Sequence, residues 1–332
     1  MTIVQVGADD ARYDEWYDVY RAADQHGRAS YAASWTRLEL QVSLRTPLPQ
    51  SEQRAFALLV EDVVVCAGWL FLHLGHNTER AELGVWTRPD LVRRGYGATM
   101  LAHLERVCAQ EGRTVLGLPA PYPYTSEVPT GAAAEFAMAH GYSLALAEVQ
   151  RQLALPVTAA RLAELMPDVA GFEVRDWTGP VPEELLVEWA DMVASLETEA
   201  PTGDLAIEAF TADVDEVRAS ERETAEQGRA SVSAVAVRPD GRLAAYSQIY
   251  ISAEGTTAYQ WGTLVRPEDR GHRLGMAVKV ANLRRLQREF PHVRAVATYN
   301  AASNTHMIAV NEALGFVPVE YEGEFQKRVS QA

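Results

Sequence analysis

A seven-residue stretch in the first half of this chain returns in the second. Gly84-Val85-Trp86-Thr87-Arg88-Pro89-Asp90 reappears as Gly262-Thr263-Leu264-Val265-Arg266-Pro267-Glu268. The same displacement carries Gly97 onto Gly275. Each stretch is followed by an amphipathic helical pattern, a short apolar strand, another helix and a Gly-aromatic step, His140-Gly141-Tyr142 in one case and Leu314-Gly315-Phe316 in the other. So many matches in one order mean two copies of one supersecondary unit, which excludes any fold that uses the chain only once.

Each copy reads as alternating strands and helices. In the first, residues 56–60 and 63–73 are β-rich runs split by Glu61-Asp62, and 81–87 is a third strand stopped at Arg88-Pro89. In the second, 231–237 and 243–252 flank Pro239-Asp240-Gly241, and 257–265 again stops at Arg-Pro. Proline has no N–H for the ladder, so both strands end at equivalent places. Met100, Leu101, Leu104, Val107 and Cys108 then mark one helix face, and Met276, Val280, Leu283 and Leu286 another. Strands at 114–118 and 293–299 follow, and apolar runs at 143–155 and 316–329 close the copies. Two helices are expected at 182–196 and 205–226. The fold class is α/β with a mixed central sheet flanked by helices in each copy. Domains at 1–155 and 171–332 are expected, joined by a linker over 156–170.

A length of 332 residues suits two such domains, and 48% hydrophobic with 23% charged residues is the balance of globular proteins. Cys66 and Cys108 lie in apolar runs without metal-ligand spacing, so they read as buried thiols and no metal is expected. The start Met1-Thr2-Ile3-Val4-Gln5-Val6 has neither a basic n-region nor an apolar h-region, and no run is long enough to span a membrane. The expected location is cytoplasmic. A formal net charge of -15 lacks the basic face that nucleic acid requires; it favours cationic acceptors or serves solubility alone.

The chemistry concentrates where the third strand of each copy turns into its long helix. The first turn is Val92-Arg93-Arg94-Gly95-Tyr96-Gly97-Ala98 and the second Arg270-Gly271-His272-Arg273-Leu274-Gly275-Met276. A glycine-bearing turn at a helix start offers unpaired N–H groups and the positive end of the helix dipole, which together suit a phosphate or pyrophosphate. Arginines add charge-assisted hydrogen bonds. Either turn alone also reads as a tight bend with solvated arginines; its recurrence after an equivalent strand points to phosphate. Three-glycine dinucleotide spacing, a Gly-Lys-Ser/Thr loop and a Gly-x-Ser-x-Gly elbow are all missing from the sequence.

These turns resemble the coenzyme-A turn, Arg/Gln-x-x-Gly-x-Gly/Ala, of the GNAT acetyltransferase superfamily. The likeness covers both halves and is strongest over 240–320, where the segments 266–279 and 304–316 look like tandem actinobacterial members. It implies acetyl-CoA as cofactor. Strand-end backbone at Thr263, Leu264 and Val265 would pair with pantetheine amides, and Arg270, Gly271, His272, Arg273, Leu274, Gly275 and Met276 would wrap the pyrophosphate. The matching first-copy residues are Val85, Trp86, Thr87, Arg93, Arg94, Gly95, Tyr96, Gly97 and Ala98. Asn300 and Asn304 would lie near the pantetheine arm, although both also suit turn and capping duty. The copies depart from the pattern differently. Val92 stands at the first position of copy one, and Arg273 replaces the middle glycine of copy two, where binding needs an accommodating φ.

The resemblance implies direct attack of a small-molecule amine on the thioester, with a base for the ammonium and an acid for the leaving thiolate. Glu82 stands where the family often places a base, but copy two has Tyr259 and Gln260 there. Glu197, Glu199 and Asp204, between the first two helices of copy two, are its acidic candidates; they also read as a solvated loop with Asp204 capping the next helix. Asn311 and Ala137 occupy the place of the family's thiol-protonating tyrosine, leaving Tyr259 or Tyr299 to substitute. The expectation is an N-acetyltransferase, active in copy two, monomeric or homodimeric, without nucleic-acid or membrane partners. The alternatives are a non-catalytic acyl-CoA-binding or sensing protein, or a longer-acyl or aminoacyl transferase on the same fold.

Overall fold

A computed structural model describes residues 1–45, 48–126, 128–208 and 213–329, without the side chains of 197 and 198. The chain runs β1 (Thr2–Val6), α1 (Tyr13–Asp24), α2 (Arg37–Arg45), β2 (Ser51–Val60), β3 (Val63–His73), β4 (Arg80–Thr87), α3 (Tyr96–Gln110), β5 (Val115–Pro123), α4 (Ala132–Ala139) and β6 (Ser143–Ala154). It continues through α5 (Ala159–Leu165), β7 (Glu173–Thr178), α6 (Leu186–Glu199), α7 (Val214–Glu226), β8 (Ala230–Val237), β9 (Leu243–Ile251), β10 (Thr257–Val265), α8 (Leu274–Glu289), β11 (Ala295–Ala301), α9 (Thr305–Leu314) and β12 (Val317–Arg328).

Two compact units form, one of Met1–Ala147, Gly203–Glu208 and Tyr321–Ala332, the other of Glu148–Thr202 and Ala209–Glu320. In the first, the strand order is β1-β2-β3-β4-β5 followed by the 321–328 part of β12. Only β4 and β5 run parallel among the pairs from β1 to β5. Met100, Leu101, Leu104 and Cys108 of α3 pack on one face together with α4, Tyr122 and Phe325. Tyr13, Trp16, Tyr17 and Tyr20 of α1 pack on the other with Ala55, Ala57 and Ala67, whose small side chains let the rings approach the sheet. Each large side chain so buried contributes roughly 1.5–3 kcal/mol.

The second unit repeats this plan. Its order is β7-β8-β9-β10-β11 followed by the 148–154 part of β6, with β10 and β11 parallel. Met276, Val280, Leu283 and Leu286 of α8 share a core with Leu162 and Leu165 of α5 and Leu314 at the end of α9. Leu186, Trp189 and Met192 of α6 cover the opposite face over Val235, Tyr246 and Leu264. The closing strands thus follow packing rather than repeat order. Residues 148–154 of the first copy complete the second unit's sheet, and residues 321–328 complete the first unit's.

Two helix boundaries differ from the expected ones. The helix expected to stop at 196 continues to Glu199, because the first residue barred from the α region is Ala200, which precedes Pro201 and is extended (ψ 147°). The next helix begins at Val214 rather than 205, capped by Asp213, whose carboxylate accepts the N–H of Asp215. Part of that expected span, 209–212, lies outside the described residues.

Candidate functional site

The second turn begins at an anchored strand end. Arg266 is buried, and its guanidinium donates to Leu243 O at 2.7 Å and to Asp191 at 2.6 Å. Pro267–Asp269 form a short 3-10 turn, in which buried Asp269 accepts from Arg238 at 3.0 Å. Gly271 and Arg273 then adopt left-handed φ of 90° and 59°, and α8 starts at Leu274 without a side-chain cap. Its first N–H groups are therefore available to a ligand. The first turn has the same backbone: Arg93 at φ 64° and Gly95 at φ 84° precede α3. Both turns need two left-handed residues, and each supplies one glycine and one arginine, in opposite order. Arg273 therefore meets the φ requirement that its place in the turn imposes.

Beside the second turn lies a cleft of about 530 Å³. Thr263, Leu264 and Val265 form one wall; Arg270, Gly271, Arg273, Leu274, Gly275 and Met276 form its floor. Asn304 with Met307 and Val310 of α9, and Leu196 and Glu199 of α6 with Pro201 after it, close the sides. A Cβ added at Gly275 would find only Val265 within 4 Å, so the helix start is open. The cleft has depth because β10 and β11 are paired only from Thr257–Ala295 to Tyr259–Ala297. Beyond that point, β10 carries a register shift between Gln260 and Thr263 against β9. Gln260 fills the irregularity, donating to Gln248 O at 2.7 Å and Ser247 Oγ at 3.1 Å. Ser247 Oγ in turn bonds Thr263 Oγ1 in the cleft wall at 2.9 Å. A bulge of this kind re-aims a strand end.

The expected second-copy residues divide. His272 does not line the cleft; its ring lies 5.3 Å from that of Phe172. Asn300 accepts from Asn311 Nδ2 at 2.6 Å and is set back from the cleft, whereas Asn304 lines it and also caps α9 through Met307 N–H. Glu199 is in the cleft, but its carboxylate is held 2.8 Å from Arg270 Nη2. Tyr259 is not a lining residue, and Arg229 stands 5.9 Å from its ring. Asp204 belongs to the first unit, where its N–H donates to Ala145 O. The side chain of Glu197 lies outside the described residues. His306 and Met307 of the cleft carried no sequence signal beyond helical spacing.

In the first copy, Arg93, Arg94 and Gly95 are exposed, and Tyr96, Gly97 and Ala98 are half-buried. The ring of Phe136 stands 3.5 Å from where a Gly97 Cβ would be, and Trp86 folds back over Gly84 with its edge to Tyr20. Val85 packs against the core, and Thr87 Oγ1 lies 3.4 Å from Cys66 Sγ. The β3–β4 register runs unshifted from Cys66–Thr87 to Leu72–Ala81, so this strand end has no bulge. Burial pushes the Glu82 carboxyl up, but His73 at 3.8 Å and Arg80 at 2.7 Å together hold it below the ordinary carboxylate range.

Among the described residues no group of three or more His, Cys, Asp or Glu side chains could hold a metal ion, and no helix is long and apolar enough to cross a membrane. Residues 13–122 match the family model described as "Acetyltransferase (GNAT) family". A solved tandem GNAT protein from the clavulanic acid biosynthesis pathway is 28% identical, with a TM-score of 0.83 over 100% of this chain and 99% of that one. A GCN5-related N-acetyltransferase from Sphaerobacter thermophilus shares the fold at 15% identity and TM-score 0.65, over 98% of this chain and 95% of its own. No curated protein matches the chain. Duplicated turn, duplicated unit and end-to-end structural likeness agree: residues 13–122 match the GNAT acetyltransferase family, and the chain from end to end has the fold of a tandem GNAT protein.

Proposed function

We propose that the protein transfers an acetyl group from acetyl-CoA to the amine of a small-molecule acceptor, and that the second copy is the active one. The observation that carries this is the single cleft joining a bulged strand end, an uncapped helix start and α9. Its parts fit the cofactor. The open N–H groups of Leu274 to Met276, with Arg270 and Arg273, suit a pyrophosphate, and the edge of β10 at Thr263 to Val265, paired to β9 on one side and left by β11 on the other, suits the amides of a pantetheine arm. The thioester carbon is supplied by the cofactor. The protein's part is to hold it against β10, whose N–H groups stabilise developing negative charge on the carbonyl oxygen.

In this reading the copies are 1–155 and 171–332, and copy one is a structural partner whose helix start is partly covered by Phe136. A cytoplasmic location and a monomer or homodimer belong to the same proposal. A second reading, an acyl-CoA-binding protein without turnover, is favoured by Asn311, which is buried and bonded to Asn300 where the family's acidic tyrosine would stand.

Gly275→Trp tests the assignment. It fills the floor of the second cleft and is expected to abolish acetyl-CoA binding in isothermal titration while the protein still melts cooperatively. Unchanged affinity in that folded variant would place the cofactor elsewhere. Release of free CoA in the presence of a panel of amines separates the enzyme from the binding protein.

A further inference from the structure

An amine acceptor arrives as an ammonium ion and must lose a proton before it can attack. Among the described residues, the carboxylates that line the second unit's cleft are already engaged, Asp269 by Arg238 at 3.0 Å. Glu199 pairs with Arg270 at 2.8 Å, and Asp191 with Arg266 at 2.6 Å. On α7, Glu221 is held by Arg218 at 2.6 Å. Glu148 differs from all of these.

Glu148 is the first residue of the β6 segment that belongs to the second unit, and its register partner on β11 is Ala301. Alternation along β6 sends Leu153, and with it Val149 and Arg151, to the face of α8 and α9. Glu148 therefore points to the opposite face, the one covered by α6, together with Gln150 and its partner Tyr299. That stretch of β11 has left β10: the two strands are paired only as far as Ala297. Ala301 O accepts the N–H of Asn304, which lines the cleft. One strand spacing, about 4.8 Å, thus separates the Glu148 backbone from Ala301, whose carbonyl holds the cleft-lining Asn304. The side chain is half-buried, and burial alone raises its carboxyl above the ordinary value, with no cation acting against it.

We propose that Glu148 is the general base of the second copy's transfer site, supplied by the closing strand of the first copy. This rests on the acyl-transfer reading of the cleft. Glu148 takes one proton from the acceptor ammonium, directly or through one water. The freed nitrogen lone pair attacks the thioester carbon and the C–S bond breaks. The nitrogen's second proton goes to the departing sulfur, giving amide and free thiol, and Glu148 returns its proton to solvent. A site that draws its base from the other copy's strand gives the duplication a chemical reason, since the second copy alone would lack the residue.

The test uses the full chain, acetyl-CoA, and two acceptors, tyramine as a strongly basic amine and hydrazine as a weakly basic one. Glu148→Gln is expected to lower turnover with tyramine about 100-fold, to lower it far less with hydrazine, and to leave CoA affinity and melting temperature unchanged. Glu148→Asp should recover part of the loss. Equal loss with both acceptors, or no loss, overturns the base. Absence of CoA binding and of CoA release by the unsubstituted protein would instead overturn the acyl-transfer reading beneath it.

Discussion

Arginine occupies a left-handed backbone position in both turns, which a side chain with a Cβ adopts at a cost of roughly 1–2 kcal/mol. At Arg273 this strain sits on the cleft floor, where a guanidinium can meet a phosphate. Arg273→Gly should relieve it. Because glycine's larger unfolded-state entropy takes back about 0.5–1 kcal/mol, the net gain in urea denaturation is expected near 0.5 kcal/mol. CoA affinity should fall at the same time by roughly tenfold, the size of one lost charge-assisted bond. Gains in both would show that Arg273 is only strained. The Arg270–Glu199 pair poses a related question, since the carboxylate sits where an anionic ligand would compete for the same guanidinium. The two side chains are 53% and 33% exposed, so the pair is worth only about 0.2–1 kcal/mol. Glu199→Gln is therefore expected to tighten CoA binding by no more than about fivefold in titration calorimetry while turnover survives. Loss of turnover would return Glu199 to the role of base.

At the scale of elements, α8 carries the phosphate-facing turn at one end and a buried lysine one helical turn further on. Lys279 is 2% exposed, with its ammonium 5.7 Å from the Phe316 ring, and burial depresses it to about 7. The sign follows from proton counts. Between pH 7 and the ordinary lysine value the unfolded chain holds a proton that the folded chain has released, so stability rises with pH across that window. The depression corresponds to an effect of the order of 5 kcal/mol. Lys279→Met should flatten this slope in denaturation measured from pH 7 to 9.5, and should make the protein more stable at pH 7. The helix itself was legible, as were both turns, because apolar period and glycine spacing are local signals. The β10 bulge was not: Gln260, Trp261 and Gly262 carry no mark of a register shift that is defined only against β9. Nor could Tyr259 be separated from the cleft by sequence, since that depends on which face of β10 the bulge turns inward. Glu199 reads as a loop residue because the apolar period of the helix fades at Leu196, whereas the backbone stays helical to Glu199. Glu148 escaped notice because its importance comes from a neighbouring strand far along the chain.

At the scale of the whole molecule, the division visible in the sequence is not the division that packs. A fragment ending at 155 lacks Phe325, which is fully buried among Tyr122, Tyr142 and the α3 side chains, and lacks the Lys327–Glu105 ion pair and the Val329–Thr114 hydrogen bond. It would leave the β5 edge unpaired, and an open edge beside an incomplete core invites aggregation. A fragment beginning at 171 lacks the seven register pairs that β6 makes with β11 from Ala154–Ala295 to Glu148–Ala301. Domain stabilities are only about 5–15 kcal/mol, and removing a buried aromatic alone takes away about 3–5 kcal/mol. Neither fragment is expected to show a cooperative urea transition by itself, while the two expressed together should recover one, with CoA binding restored. A cooperative transition in the isolated 1–155 fragment would mean that its own β6 can take the place of β12 beside β5. The exchange would then be an option of the chain and not a requirement, and duplication would no longer be needed to bring β6 to the second unit.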